Sequence, residues 1–516
     1  MALTAGKAKP VKAAHKPSPS DAAKADKAEG ADGGLRKDLK LRDAAAFSIG
    51  LIGPVGAMAL LGVGAAALLG RGAPLAFVFA IVGVGLVAYG FVQLSRHISD
   101  TGSVYALVGK TIGPRAGFVA GWALIAAYVA IAAGSTIEIG LFLNRFLSLA
   151  HIGTFHEWIW EAVISLAIIG ALSLREIKLI TNVLLGIEIA GAVLVAILSG
   201  VIIVRLAIGH GPAGQTLSAH IFSLPPGGGV SAIAGAAVFG FLAFAGFEGA
   251  AALGGESKDP RRDIPRAITV AVIVVALFYL LVIVGQTLGY GVSPSGVKAF
   301  QNSTSPYADL GTAYLDTAYA AALNLIAAIS LLAITVGTLA GAARVSYAIS
   351  RDAAPRSPLT RVNGRGTPVV TMALAAVVVL VAMIGQRLAG TDEKDATFYW
   401  LTIGTIAILV AYALATLGAL RFLFFTGAPK APRWQMGIPI LGLIFVGYTI
   451  YKNVVGVSGP YRYFPYYVLG WLIIGFVLVT AVPGVVGRVR TEFATDDSTT
   501  AKPPAAASAG PSKESS

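Results

Sequence analysis

Residues 239–268 read FGFLAFAGFEGAAALGGESKDPRRDIPRAI, an apolar run interrupted by glycine that passes straight into a charged elbow. A helix crossing lipid must satisfy its backbone internally, because no water is there to do so. Gly240, Gly246 and Gly249 beside the carboxylate of Glu248 therefore predict a membrane helix broken midway, with peptide groups left over for a ligand. An earlier stretch, SIGLIGPVGAM at 48–58, has the same character. Two interrupted apolar segments at corresponding places in two halves of a chain point to the binding site of a secondary transporter.

The rest of the chain suits the same solvent. Of 516 residues, 56% are hydrophobic and 13% charged, with a mean hydropathy of +0.76, far more apolar than a soluble core requires. The pattern predicts an all-α membrane protein with twelve transmembrane helices, near 45–69, 74–94, 117–143, 158–174, 179–204, 231–253, 267–290, 318–347, 367–386, 397–425, 437–455 and 465–486. Each is close to the roughly 20 residues that cross a hydrocarbon core of about 30 Å. Lys and Arg are more frequent in connections on the side of the amino terminus, which with an even number of spans places both termini in the cytoplasm; the expected location is the cytoplasmic (inner) membrane.

The net charge of +13 does not imply nucleic acid, because residues 1–42 carry ten Lys and Arg scattered among Ala, Pro and Ser. This segment and residues 488–516 read as disordered cytoplasmic tails around a transporter domain at 43–487. There is no cysteine, and the six histidines fall in predicted tails or loops, so no metal centre is expected. No Walker sequence and no region large enough for a catalytic fold appears, which predicts neither an enzyme nor a cofactor.

Three further motifs give the chain a family likeness: SRHISDTGSVYALVGKTIGPRAGFVAGW at 95–122, the run from Phe241 to Ile268, and AGAARVSYAISRDAAPRSPLTRVNGRGTPVV at 340–370. With the glycine-broken first span, they resemble amino acid permeases of the amino acid, polyamine and organocation (APC) superfamily over about residues 40–486. The resemblance implies the leucine-transporter type of fold, a 5+5 inverted repeat plus two helices. It also implies a permease that moves an amino acid or related small amine by alternating access. A co- or counter-transported ion is expected, with a proton favoured over sodium. Two other readings stand beside it: a nutrient-sensing receptor of the same fold that binds without transport, and a sodium-coupled symporter using Ser330, Thr335 and Thr338.

The breaks suggest how a zwitterion is held. Pro54 has no amide hydrogen, so Gly50 loses its helical partner, and Gly53 and Gly56 let the chain leave helical angles. Beyond the break, the amides of Val55, Gly56 and Ala57 form a helix N-terminus suited to a carboxylate. Family members show Gly-Ser-Gly here, whereas this chain has Gly53-Pro54-Val55-Gly56 and lacks the serine hydroxyl. In the sixth span the matching carbonyls come from Phe241, Leu242 and Ala245, with Phe244 as an apolar lid. The competing reading is that such glycines only allow close helix packing.

Two carboxylates lie deep in predicted spans, where charge costs at least about 2.5 kcal/mol on insertion scales. Glu248 matches an acidic position of the family motif, and reads either as a proton-coupling group or as a structural acceptor. Glu188 stands where some family members have a lysine, and reads as a coupling group, a cation ligand or a structural acid. Glu138 and Glu161, nearer span ends, read as interfacial. The elbow residues Glu256, Lys258, Asp259, Arg261, Arg262 and Asp263 predict a salt-bridge network that gates the cytoplasmic side.

Overall fold

In lipid, an open chain of this composition can bury its peptide groups only in helices, and every regular element among the described residues is helical. The computed structural model describes residues 40–98, 104–173, 177–224, 228–363 and 367–481. Most of both expected tails, 1–39 and 488–516, lies outside these residues, although Leu41 and Arg42 already begin a helix.

The helices are α1 (Leu41–Ile52), α2 (Pro54–Leu69), α3 (Ala73–His97), α4 (Val104–Thr111), α5 (Pro114–Leu149), α6 (Trp158–Ser173), α7 (Ile177–Ala207) and α8 (Val230–Ala243). A 3₁₀ helix at Phe247–Glu256 follows, then α9 (Pro260–Tyr290), α10 (Pro294–Asn302), α11 (Pro306–Tyr314) and α12 (Thr317–Ala353). The last are α13 (Val369–Leu388), α14 (Glu393–Phe424), α15 (Gly437–Val454) and α16 (Phe464–Ala481). Proline opens α2, α5, α9, α10 and α11, where its missing N–H costs nothing and its fixed φ already suits the first turn.

Among the described residues, nine helical stretches are long and apolar enough to cross a membrane, the first of them, Leu41–His97, running through α1, α2 and α3. Two shorter apolar helices, Trp158–Leu172 and Val230–Ala243, lie under two further predicted spans. Large apolar side chains point outward along these helices: Leu277 is 65% exposed and Val381 63%. A soluble surface would not carry such a belt, whereas lipid tails solvate it.

The long helix α5 packs along both α12 and α14. Trp122 on α5 and Trp471 on α16 stack at 4.5 Å, and each indole N–H donates to the other's backbone carbonyl at 2.8 Å. The two interrupted segments lie side by side. α2 packs on α8 and α1 on the 3₁₀ helix, as segments running in opposite directions do. His97 sits in the last turn of α3 instead of a loop, where it is exposed.

Candidate substrate site at the two broken helices

The first break is one residue wide. Gly53 adopts φ 56°, ψ 61°, the left-handed region, ending α1 with its N–H on Ile49 O at 3.0 Å, and Pro54 starts α2 at once. Only glycine takes that conformation without strain, and a Cβ here would lie 2.3 Å from Ile334 Cγ1.

The amides expected to be open are all engaged. Val55 N donates to Glu188 Oε1 at 2.7 Å, Gly56 N to Ser330 Oγ at 2.9 Å, and Ala57 N to Gly53 O at 2.9 Å. A helix N-terminus without acceptors in an apolar interior is costly, so α7 and α12 supply them. Glu188 is thus a cap on α2, which its isolation in an apolar stretch did not reveal. Thr335 and Thr338 turn their hydroxyls back onto Leu331 O and Ile334 O of their own helix.

The second break is wider. α8 stops at Ala243, residues 244–246 form a turn, Gly246 has φ 105°, and the chain resumes as a 3₁₀ helix. The carbonyls expected to be free are partly used. Phe241 O accepts from Phe244 N at 3.2 Å, Leu242 O from Ala245 N at 2.8 Å, and Ala243 O from the Tyr279 hydroxyl. Phe244, expected as a lid, is fully buried, with its ring 5.0 Å from that of Tyr279. Ser48 Oγ joins the two broken segments by accepting from Ala250 N at 2.9 Å and donating to Phe247 O at 3.3 Å.

Glu248 is the hub of this region. Its Oε1 accepts from Tyr128 OH at 2.9 Å, and its Oε2 from Tyr412 OH at 2.7 Å and Gly246 N at 3.1 Å. Those donors come from α5, α14 and the second break. The carboxylate therefore fastens the broken segment to α5 and α14.

A cavity of about 30 Å³ lies between the breaks. It has room for water only, so cargo requires movement of the walls. Of the expected site residues, Ala57, Leu242 and Ala245 line it, while Gly50, Gly53, Val55, Gly56, Phe241 and Phe244 do not. The opposite wall comes from α5 through Tyr128, Ile131, Ser135 and Glu138. Glu138, expected at the interface, is instead 2% exposed, and its Oε1 has no hydrogen-bond partner. The signal was present as spacing. Residues three, seven and ten positions beyond Tyr128 share one helix face.

The elbow differs from expectation. Lys258, Asp259, Arg261 and Arg262 are exposed, Asp263 is half-buried, and none of these described residues makes an ion pair. Water solvates these charges more cheaply than fixed pairs would. The side chain of Glu256 lies outside the described residues. A buried contact does form between the motifs at 95–122 and 340–370, where Tyr105 OH donates to Asp352 Oδ2 at 2.8 Å; the neighbouring Arg351 Nε donates to Asp352 Oδ1 at 2.9 Å.

Comparison with known families assigns this architecture. The family model described as amino acid permease matches residues 43–498. This chain belongs to the amino acid permease family. The permease is accordingly a multi-pass membrane transport protein of the APC superfamily and not an enzyme. It is 25% identical over 351 residues to the low-affinity putrescine importer PlaP of Escherichia coli (strain K12), covering 68% of this chain and 75% of that protein. The branched-chain amino acid permease BcaP of Lactococcus lactis is 27% identical over 375 residues, 68% of this chain and 76% of the relative. BcaP of Bacillus subtilis is 24% identical over 467 residues, 86% and 92% of the two chains.

Proposed function

We propose that the protein is a secondary active transporter that moves an amino acid or small amine across the cytoplasmic membrane by alternating access. In this reading twelve helices cross the bilayer with both termini in the cytoplasm, in a 5+5 inverted repeat plus two. The observation that carries it is the pairing of two interrupted helices around one central cavity walled by α5. The names of the relatives, a putrescine importer and branched-chain amino acid permeases, favour the same cargo classes.

Movement of the segments holding α1, α2, α8 and the 3₁₀ helix against the scaffold of α5, α6, α12 and α13 opens the cavity to either side. Single-residue joints such as Gly53 suit that motion, since they turn without exposing a run of peptide groups. Counterflow in proteoliposomes tests it. Saturable exchange of labelled substrate is the expected result, whereas binding without exchange selects the receptor reading.

Ion coupling is assigned to a proton at Glu188, with Glu248 as a fixed tie. Glu248 holds three donors, while Glu188 grips a single amide at the joint that must move. A proton on Glu188 weakens that grip and so links its occupancy to the motion of α2. Glu188→Gln is expected to flatten the pH dependence of uptake. An unchanged profile removes Glu188 from coupling.

A further inference from the structure

The cavity between the two breaks shows which chemical class it accepts. A zwitterion needs two receptors, amides for its carboxylate and oxygens for its ammonium. The amide receptor is already filled from within the protein. Glu188 Oε1 lies 2.7 Å from Val55 N, at the helix N-terminus where an incoming carboxylate would sit, and Ser330 and Gly53 hold the next two amides. A cargo carboxylate would meet another carboxylate there instead of free N–H groups.

The oxygen receptor is a side chain. Backbone carbonyls around the breaks are largely spoken for: Phe241 O and Leu242 O by turn amides, Ala243 O by Tyr279, and Val55 O by Tyr307 OH at 2.9 Å. Glu138 alone among the cavity walls offers a carboxylate, buried and with Oε1 unpartnered. The buried acidic side chains among the described residues are Glu138, Glu161, Glu188, Glu248 and Asp352; no Lys, Arg or His is buried with them, and only Asp352 has a cation at hand, the half-exposed Arg351. An interior with carboxylates and no internal cation is complemented by a cation from outside. Leu61, Leu242, Leu331 and Ile334 make the remaining walls apolar.

We propose that the cargo of this site is an aliphatic amine cation lacking a free carboxylate, its ammonium held by Glu138 and its chain by the apolar walls. The inference rests on the transport reading for the location of the site, and it narrows the two cargo classes named there to one. Glu188 acts as a built-in carboxylate that excludes amino acids.

Matched pairs differing by one carboxylate test it on the full chain: 1,4-diaminobutane against ornithine, and 3-methylbutylamine against leucine. Affinity is read by calorimetry in detergent and transport by counterflow in proteoliposomes. Each amine is expected to bind at least about 30-fold more tightly than its amino acid. Glu138→Gln should weaken amine binding by a similar factor. Amino acids that bind as well as their amines, or no binding by any of the four, overturn the inference. Exchange of ornithine or leucine in that case leaves the transport reading standing. Amines that bind without counterflow have the reverse meaning, since the site chemistry holds and transport falls. Unchanged amine affinity in Glu138→Gln removes Glu138 as the counterion and overturns the proposal. The wild-type affinity ratio decides the matter even if that variant is not recovered folded.

Discussion

Glu248→Ala is expected to destabilise the protein by at least about 3 kcal/mol and to abolish uptake, because it strips the acceptor from three buried donors at once. Tyr128 OH, Tyr412 OH and Gly246 N all end on this carboxylate, and all three donors are buried. Glu248→Gln keeps one acceptor oxygen and lets a tyrosine hydroxyl rotate to accept, so its loss should be clearly smaller. Tyr128→Phe and Tyr412→Phe should each cost about 1.5–3 kcal/mol, the range for a hydrogen bond to a charged group. Thermal melting of the four purified variants in detergent measures the series. A Glu248→Ala protein that melts with the wild type would show that the hub holds nothing together.

Gly53→Val is expected to be comparably damaging for a different reason. The position sits at φ 56°, where a non-glycine residue costs roughly 1–2 kcal/mol, and a β-branched one more. Its Cβ would also lie 2.3 Å from Ile334 Cγ1 and 2.6 Å from Ile334 Cδ1, and overpacking of this kind adds about 1–3 kcal/mol. The two causes can be separated. Combining Gly53→Ala with Ile334→Ala relieves the clash and leaves the backbone strain, so melting should recover only in part while uptake stays impaired. Full recovery of transport in the double variant would mean that the left-handed joint itself is dispensable.

Fold class was legible because lipid imposes one rule on every residue of a span. Length and apolarity suffice to place helices when no side-chain partner has to be known. The two breaks were equally visible, since Gly53-Pro54 and Gly246 act through their own backbone: proline removes a donor and glycine permits positive φ. The depth of each break was not visible. The first needs one residue and the second a three-residue turn followed by a 3₁₀ helix, a difference set by what packs beside them.

Pairings at the site belong to another order of information. Val55 and Glu188 are 133 residues apart in the chain, Tyr412 and Glu248 164, and Ser48 and Ala250 202. No local pattern states which buried carboxylate caps a helix, which one gathers tyrosines and which one faces the cavity. Glu138, Glu188 and Glu248 look alike as isolated acids in apolar helices. Their separate parts follow from desolvation, which obliges each buried polar group to find whatever partner the helix packing brings near: Glu138 and Glu188 each keep an unpartnered oxygen, and only Glu138 lines the cavity.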